Sequence, residues 1–328
     1  GDVYKRQAQL LALRAMGPVP ENLEELKEKI TNEGPGDTLI PACPLMHGTG
    51  LFTGMGTFYS GGTVVTLSAP SLDPEELWQT VQDRGVNTVS IVGDAFAKPM
   101  LRALENNQGR WDLSSLAGMI SSGVMWSQEV KEALLEHLPN ALLADSFGSS
   151  EAVGFGASIM AKGMPVQTAR FTTNDFCKVF DENDQEIPRG GETPGFIAFG
   201  GPIPLGYYGD PDKTAKTFKT INGQRFSIPG DYCLVAEDGT LTLLGRGSVC
   251  INSAGEKIYP EEVEETLKQH PAVEDALVVG VKDDKWGQAV TGVVKLAEGE
   301  TLDEAGIIEF IKTQLAHYKA PKHVFAGG

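Results

Sequence analysis

The stretch TVVTLSAPSLDPEELWQTVQDRGVNTVSIVGDAFAKPML, Thr63 to Leu101, decides the fold class. It opens on a β-branched run, TVVTL at Thr63 to Leu67, bounded by Gly-Gly and Ala-Pro, which reads as a short buried strand. From Asp73 to Val81, Pro74 falls in the first turn and Glu75 and Glu76 follow it. This marks a helix start, because acidic groups favour the positive helix end. Thr88 to Val92 reads as the next strand and Ala95 to Glu105 as the next helix. The alternation extends both ways. Upstream, ENLEELKEKI at 21–30 is amphipathic on Leu23, Leu26 and Ile30, Asp37 to Pro41 is a strand, and Gly-spaced Leu51 to Tyr59 is a buried helix. Downstream come a strand at Ala117 to Ser121, a helix at Ser127 to His137 and a strand at Ala141 to Ala144. Short strands alternating with helices imply parallel crossover units and a layered α/β sheet.

Past Phe155 the pattern changes. Val179 to Phe180 and Phe196 to Phe199 read as strands, and DENDQEIPRGGETPG between them is rich in turn formers. LVAEDGTLTLLG, Leu234 to Gly245, sets Asp238-Gly239 between alternating apolar runs, a hairpin signal. This region is expected to be an antiparallel, barrel-like subdomain. From about Asn252 the chain restarts with a helix at Pro260, Glu261, Glu262, Val263 and Leu267, then strands AVEDALVVGVKD and AVTGVVKL and a helix from Glu304 to Leu315. The predicted organisation is α/β: a layered, parallel-rich sheet portion at 8–155, the antiparallel subdomain at 156–248, and a small α+β domain at 249–328.

A chain of 328 residues with 41% apolar and 22% charged residues suits a globular protein with a large core. Its net charge of -17 argues against nucleic acid as main partner, since phosphate backbones want basic clusters. A small anionic substrate stays open, because a few local cations decide such a site. No apolar run approaches the roughly 18 residues that span a bilayer. Cys43, Cys177, Cys233 and Cys250 lie far apart without a CxxC pair, so free thiols in a reducing cytoplasm are expected, not zinc or disulfides.

Chemistry concentrates in three segments. FGSSE, Phe147 to Glu151, follows the apolar strand ending at Asp145, where ligand crevices of open α/β sheets lie. The carboxylates Asp145 and Glu151 are the hard oxygen donors that Mg²⁺ takes. Taken alone, the segment also fits a turn leading into a helix capped by Ser149 or Ser150. IPGD at Ile228 to Asp231 and GRGSVCINSAGEKIYP at Gly245 to Pro260 follow.

In this order and spacing the segments resemble the adenylate-forming, AMP-dependent acyl-CoA synthetase/ligase superfamily, in its bacterial fatty-acyl-CoA synthetase-like branch, steroid side-chain acids included. The resemblance implies a substrate set of a carboxylic acid, ATP with Mg²⁺, and coenzyme A. It places Phe147 beside adenine, Gly148 and Ser149 in the nucleotide loop, Ser150 at the α-phosphate and Glu151 on the metal. Asp231 falls where the family binds the ribose hydroxyls, and Arg246 at the domain junction near ribose and phosphates. Ser122, Gly123 and Val124 in MISSGVMWS match the glycine-rich edge lining adenine and the acyl pocket. His47 in CPLMHGTG matches the acyl tunnel, with Met46 and Met125 as adaptable walls. Gly255 falls in the loop approaching the pantetheine arm, and Val249 stands where a hinge Asp is common. The GGETPGFIAFGGPIPLGYYGDPDKT segment reads as structural, with Gly195, Gly200 and Gly206 shaping turns.

Two departures matter. The family's Lys-containing phosphate loop is expected just before residue 8, where GDVYKRQ stands and looks foreign. YKAPKHVF resembles the segment ahead of the catalytic lysine, so Lys319 and Lys322 do not take that role. Both ends therefore read as truncated, and the chain as given is expected to adenylate poorly or not at all. A homodimer is compatible with the sequence. Two alternatives stand beside the ligase. One is an adenylation domain charging an amino or aryl acid onto a carrier protein, for which Asp94 is an unassigned carboxylate. The other is a non-catalytic nucleotide-binding remnant. A dehydrogenase is disfavoured, since no GxGxxG follows an early strand.

Overall fold

A computed structural model describes residues 20–124, 126–164, 170–246, 250–254, 256–283 and 285–327, Arg246 by its backbone alone. The expectations for residues 1–19 and for Met125, Val249 and Gly255 lie outside the described residues.

The alternating stretch forms five parallel strands in the order β2-β1-β3-β4-β5: β1 (Thr38–Pro41), β2 (Thr63–Val64), β3 (Thr88–Ile91), β4 (Gly118–Ser122) and β5 (Leu142–Ser149). Between and before them run α1 (Leu23–Glu33), α2 (Gly48–Tyr59), α3 (Pro74–Arg84), α4 (Asp94–Asn106) and α5 (Gln128–His137). The start of α3 follows the reading: Asp73 accepts from the backbone N–H groups of Glu75 and Glu76, and Pro74 opens the helix where no N–H is needed. Gly85, at φ 58°, closes it in the left-handed region. Leu77, Trp78 and Val81 turn inward, and the Trp78 indole N–H donates to the Met100 carbonyl at 3.0 Å, tying α3 to α4.

Two local expectations change. TVVTL pairs only at Thr63 and Val64, which are exposed and half-buried, not core. Among the described residues β2 ends the sheet order and pairs with β1 alone. In α2 only Thr49, Gly50 and Gly54 are buried, and Phe58 projects outward.

The antiparallel strands are β6 (Ala152–Met160), β7 (Arg170–Thr173), β8 (Cys177–Phe180), β9 (Gly195–Phe199), β10 (Phe218–Ile221), β11 (Gln224–Ser227), β12 (Asp231–Val235) and β13 (Leu241–Arg246), with α6 (Pro211–Thr217) before β10. They continue the same hydrogen-bonded path, β5-β6-β7-β13-β12-β9-β11-β10, with β8 on β9. The expected Asp238-Gly239 turn joins β12 to β13, Gly239 at φ 83°. Phe147, Phe155, Phe171 and Phe199 pack at the junction of the parallel and antiparallel parts.

The remaining chain builds a second sheet from β14 (Ile251–Ser253), β15 (Glu256–Ile258), β16 (Val273–Asp283), β17 (Gly287–Leu296) and β18 (His323–Ala326), carrying α7 (Pro260–Lys268) and α8 (Glu304–Gln314). Val263, Leu267, Ile307 and Ile311 from the helices meet Val278, Val290, Val294 and Val324 in its core. This small domain docks through Tyr259 on Tyr232 (ring centroids 5.3 Å) and Lys257 on Glu182 (2.5 Å). On another side, Glu274 meets Arg102 at 2.7 Å, and its carbonyl accepts from Lys98.

Gly245 makes this docking close. It sits at φ 118°, and the Glu261 carboxylate of α7 occupies the space that a Cβ would fill. Gly245→Ala is therefore expected to strain the backbone and turn the Glu261 carboxylate aside, costing about 1–3 kcal/mol. Chemical denaturation and limited proteolysis at the junction check this. A variant as stable and as protease-resistant as the parent refutes the tight fit.

Candidate functional site

The C-terminal ends of the parallel strands gather most of the residues singled out by sequence. His47 follows β1, Asp94 follows β3, Ser122 to Val124 follow β4, and Ser149 to Glu151 follow β5. β4 and β5 pair in register through Ser122 and Ser146, and β5 runs on to Ser149 before it turns. Crevices at this end of an open parallel sheet are where ligands bind.

His47 caps α2, its Nδ1 accepting from Thr49 N at 3.2 Å. This turns Cε1 toward the β4 loop, and a Cβ on Gly123 would lie 3.0 Å from it. Gly123 stands at φ 94°, so glycine is needed there both for backbone conformation and for room. The Thr49 hydroxyl donates to the Ser122 carbonyl at 3.4 Å. The structure thus brings His47 and Ser122–Val124 together. Exposed apolar side chains rim the pair: Leu45, Met46 and Val124, Met46 being 96% exposed.

The FGSSE segment is not a helix start. β5 turns directly into antiparallel β6, and the Ser149 hydroxyl oxygen accepts from the N–H groups of Glu151 and Ala152, both at 3.2 Å. A side-chain oxygen closes a hairpin as readily as it caps a helix, which is why the sequence alone also fits a helix start. The pairing skips a residue at Gly148, where a Cβ would sit 3.1 Å from Gly154 N. Ser150 is exposed at the tip. Glu151 accepts a hydrogen bond from the Tyr207 hydroxyl at 2.7 Å. Tyr207 lies in the stretch read as purely structural, and only its Gly-Tyr-Tyr setting marked it.

Two assigned residues take other surroundings. The Phe147 ring is 8% exposed and lies between Phe155 (5.1 Å) and Phe171 (5.3 Å), so it serves the aromatic core in this arrangement. Asp145 is held by Lys131 of α5 at 2.6 Å, with both side chains nearly covered. Burial pushes the Asp145 carboxyl above its usual range, and Lys131 opposes that shift. Its charge is spent on the sheet-to-helix contact, which removes it as a ready metal ligand.

Asp231 and Arg246 form a second group. Their backbones stand opposite each other where β12 and β13 pair, and Asp231 is buried. In the sheet path β6 and β7 separate this group from β5. The charge of Asp231 adds to burial in pushing the Cys233 thiol up to about 12. All four cysteines are free thiols.

Asp94 accepts from Ser127 N at 2.9 Å, and its other oxygen faces Lys98 at 3.5 Å. It links the β3 and β4 loops. Among the described residues no group of three or more His, Cys, Asp or Glu side chains assembles to hold a metal, and no helix is long and apolar enough to cross a membrane.

A parallel sheet with its crevice residues, an antiparallel extension and a docked α+β domain agree with what comparison finds. Residues 10–208 match the family model of AMP-binding enzymes, and residues 262–326 match that of the AMP-binding enzyme C-terminal domain. The chain belongs to the AMP-binding enzyme family. It is 46% identical over 286 residues to a medium/long-chain-fatty-acid–CoA/3-oxocholest-4-en-26-oate–CoA ligase of Mycobacterium marinum, covering 87% of this chain and 52% of that one. The protein of the same name from Mycolicibacterium smegmatis is 44% identical over 312 residues, 94% of this chain and 56% of that one. The fold overlays on ATP-bound MatB from Rhodopseudomonas palustris with TM-score 0.75 at 25% identity, covering 89% of this chain and 56% of that one. The chain spans about half the length of the curated relatives it matches.

Proposed function

We propose that the protein takes part in ATP-dependent activation of a carboxylic acid, a fatty or steroid side-chain acid, and its transfer to coenzyme A. In the first step a carboxylate oxygen attacks the α-phosphorus of ATP, and pyrophosphate leaves. In the second the CoA sulfur attacks the acyl carbonyl of the acyl-adenylate, and AMP leaves. The observation that carries the reading is the contact of His47 with Gly123 at the C-terminal ends of the parallel strands, with the Glu151 hairpin following β5 on that same side, in a chain of this family.

Glu151 suits a metal that phosphate oxygens and water also ligate, since one carboxylate stands there and Mg²⁺ keeps several non-protein ligands. Bound there, Mg²⁺ would neutralise charge on the transferring phosphate oxygens. In this reading Ser150 and the Ser149–Gly148 turn meet the α-phosphate, with Phe147 packed behind the nucleotide loop. The buried Asp231 accepts from the ribose hydroxyls, and Arg246 serves the nucleoside and phosphates. His47 and Ser122 to Val124 shape the acyl entrance, and the family resemblance assigns Gly255 to the CoA arm. The apolar rim of Leu45, Met46 and Val124 supports an apolar acid, as do the names of the relatives.

Against the amino-acid alternative stands Asp94, which Ser127 and Lys98 already engage. A cytoplasmic enzyme, as a monomer or a homodimer, completes the reading. The test uses protein expressed from its native reading frame: acid-dependent pyrophosphate and AMP release with medium- and long-chain fatty acids, and calorimetric ATP binding. Release that depends on acid and ATP, and AMP release that also needs CoA, supports the ligase. ATP binding without turnover points to the nucleotide-binding remnant, and absence of both overturns the reading.

A further inference from the structure

Resting on Glu151 as the metal-facing carboxylate, we propose that Tyr207 is a positioning residue for it, setting the carboxylate's orientation before nucleotide arrives. The phenol donates to Glu151 Oε1 at 2.7 Å, across 56 residues of sequence, from the link between β9 and α6. A free glutamate side chain samples several rotamers, and fixing it in advance removes that cost from metal binding. A neutral donor does this without cancelling the charge that the cation needs. A lysine or arginine donor would compete with it.

Tyr207 is itself clamped. Its N–H donates to Thr214 Oγ1 at 2.9 Å, and Lys213 Nζ stands 4.3 Å from its ring centroid. Both clamps come from the first turn of α6, which Asp210 caps by accepting from Lys213 N at 2.9 Å. Gly206 lets the segment press against α6, since a Cβ there would fall 2.5 Å from Thr214 Cγ2. The glycine-tyrosine pair therefore carries the phenol to the hairpin from a rigid mount, and the hydroxyl's reach to Glu151 is what a turn-forming role alone leaves without use.

The test is calorimetric binding of a non-hydrolysable ATP analogue, with Mg²⁺ and with chelator, to the parent and to Tyr207→Phe. The phenylalanine variant is expected to lose about tenfold in affinity with Mg²⁺ and to match the parent in chelator, because it removes one hydrogen bond to a charged group. Thr214→Val, which loosens the clamp and keeps the phenol, should lose about two- to threefold with Mg²⁺ only and stands in if Tyr207→Phe fails to fold. Equal losses with and without metal, or none, overturn the proposal. Glu151→Gln separates the two levels. If it abolishes the Mg²⁺ increment while Tyr207→Phe keeps it, the positioning role alone is wrong. If Glu151→Gln keeps the increment, Glu151 does not face the metal, and the positioning role falls with it.

Discussion

Glu151→Gln is expected to lower acid-dependent pyrophosphate release by about 10²- to 10³-fold, the scale set by deleting one electrostatic contact to a transferring group. Glutamine keeps the size of the side chain and can still meet the Tyr207 hydroxyl. The turn itself is held by the Ser149 oxygen on the Glu151 and Ala152 N–H groups, which the substitution does not touch. The loss should therefore appear without a fall in thermal stability, and raised Mg²⁺ should recover part of it. A variant within about fivefold of the parent at limiting Mg²⁺ would remove Glu151 from the metal site.

Lys131→Met is expected to destabilise the fold by about 3–5 kcal/mol, because it leaves the Asp145 carboxylate covered and without its cation. Replacing both partners, as Lys131→Met with Asp145→Leu, should recover most of that loss, since paired apolar groups carry no desolvation cost. The pH dependence has a definite sign. Burial already places the folded-state pKa of Asp145 above its unfolded value, with Lys131 opposing the shift. A carboxyl raised in this way costs nothing below its unfolded pKa, costs progressively more between that and the folded value, and costs a constant amount above it. Without Lys131 the folded pKa rises further. The stability gap between variant and parent should widen as pH rises from the folded pKa of the parent's Asp145 toward the variant's higher one, as urea titrations would read. A constant gap would show that the pair is not coupled to protonation.

The burial of Lys131 could have been read from the sequence. Lys131, Leu134, Leu135 and Leu138 share one helical stripe, and a lysine on an apolar stripe needs a buried partner. Finding that partner is another matter, because Asp145 lies on a different element, where the sequence reads it as a carboxylate of the nucleotide site. The local conformation after FGSSE stays open in the sequence for a similar reason. Ser149 was rightly seen as a local hydrogen-bond acceptor, but helix cap and hairpin turn use the same oxygen. Only the pairing of β6 back onto β5 decides between them. Phe147 was assigned by its motif position, and three other phenylalanines distant in sequence determine what its ring touches.

Local signals alone determined the parallel crossover units, the Asp238-Gly239 hairpin and the restart at Pro260, because periodicity, capping and turn chemistry act over a few neighbouring residues. Family membership was legible for the same reason, carried by short segments in order. Tertiary structure alone decided that β2 ends the sheet among the described residues, that Tyr207 reaches Glu151, that Asp145 belongs to Lys131, and that Glu261 of the small domain packs against Gly245. Each of these depends on which distant surfaces meet and exclude water, and chain proximity holds no record of that.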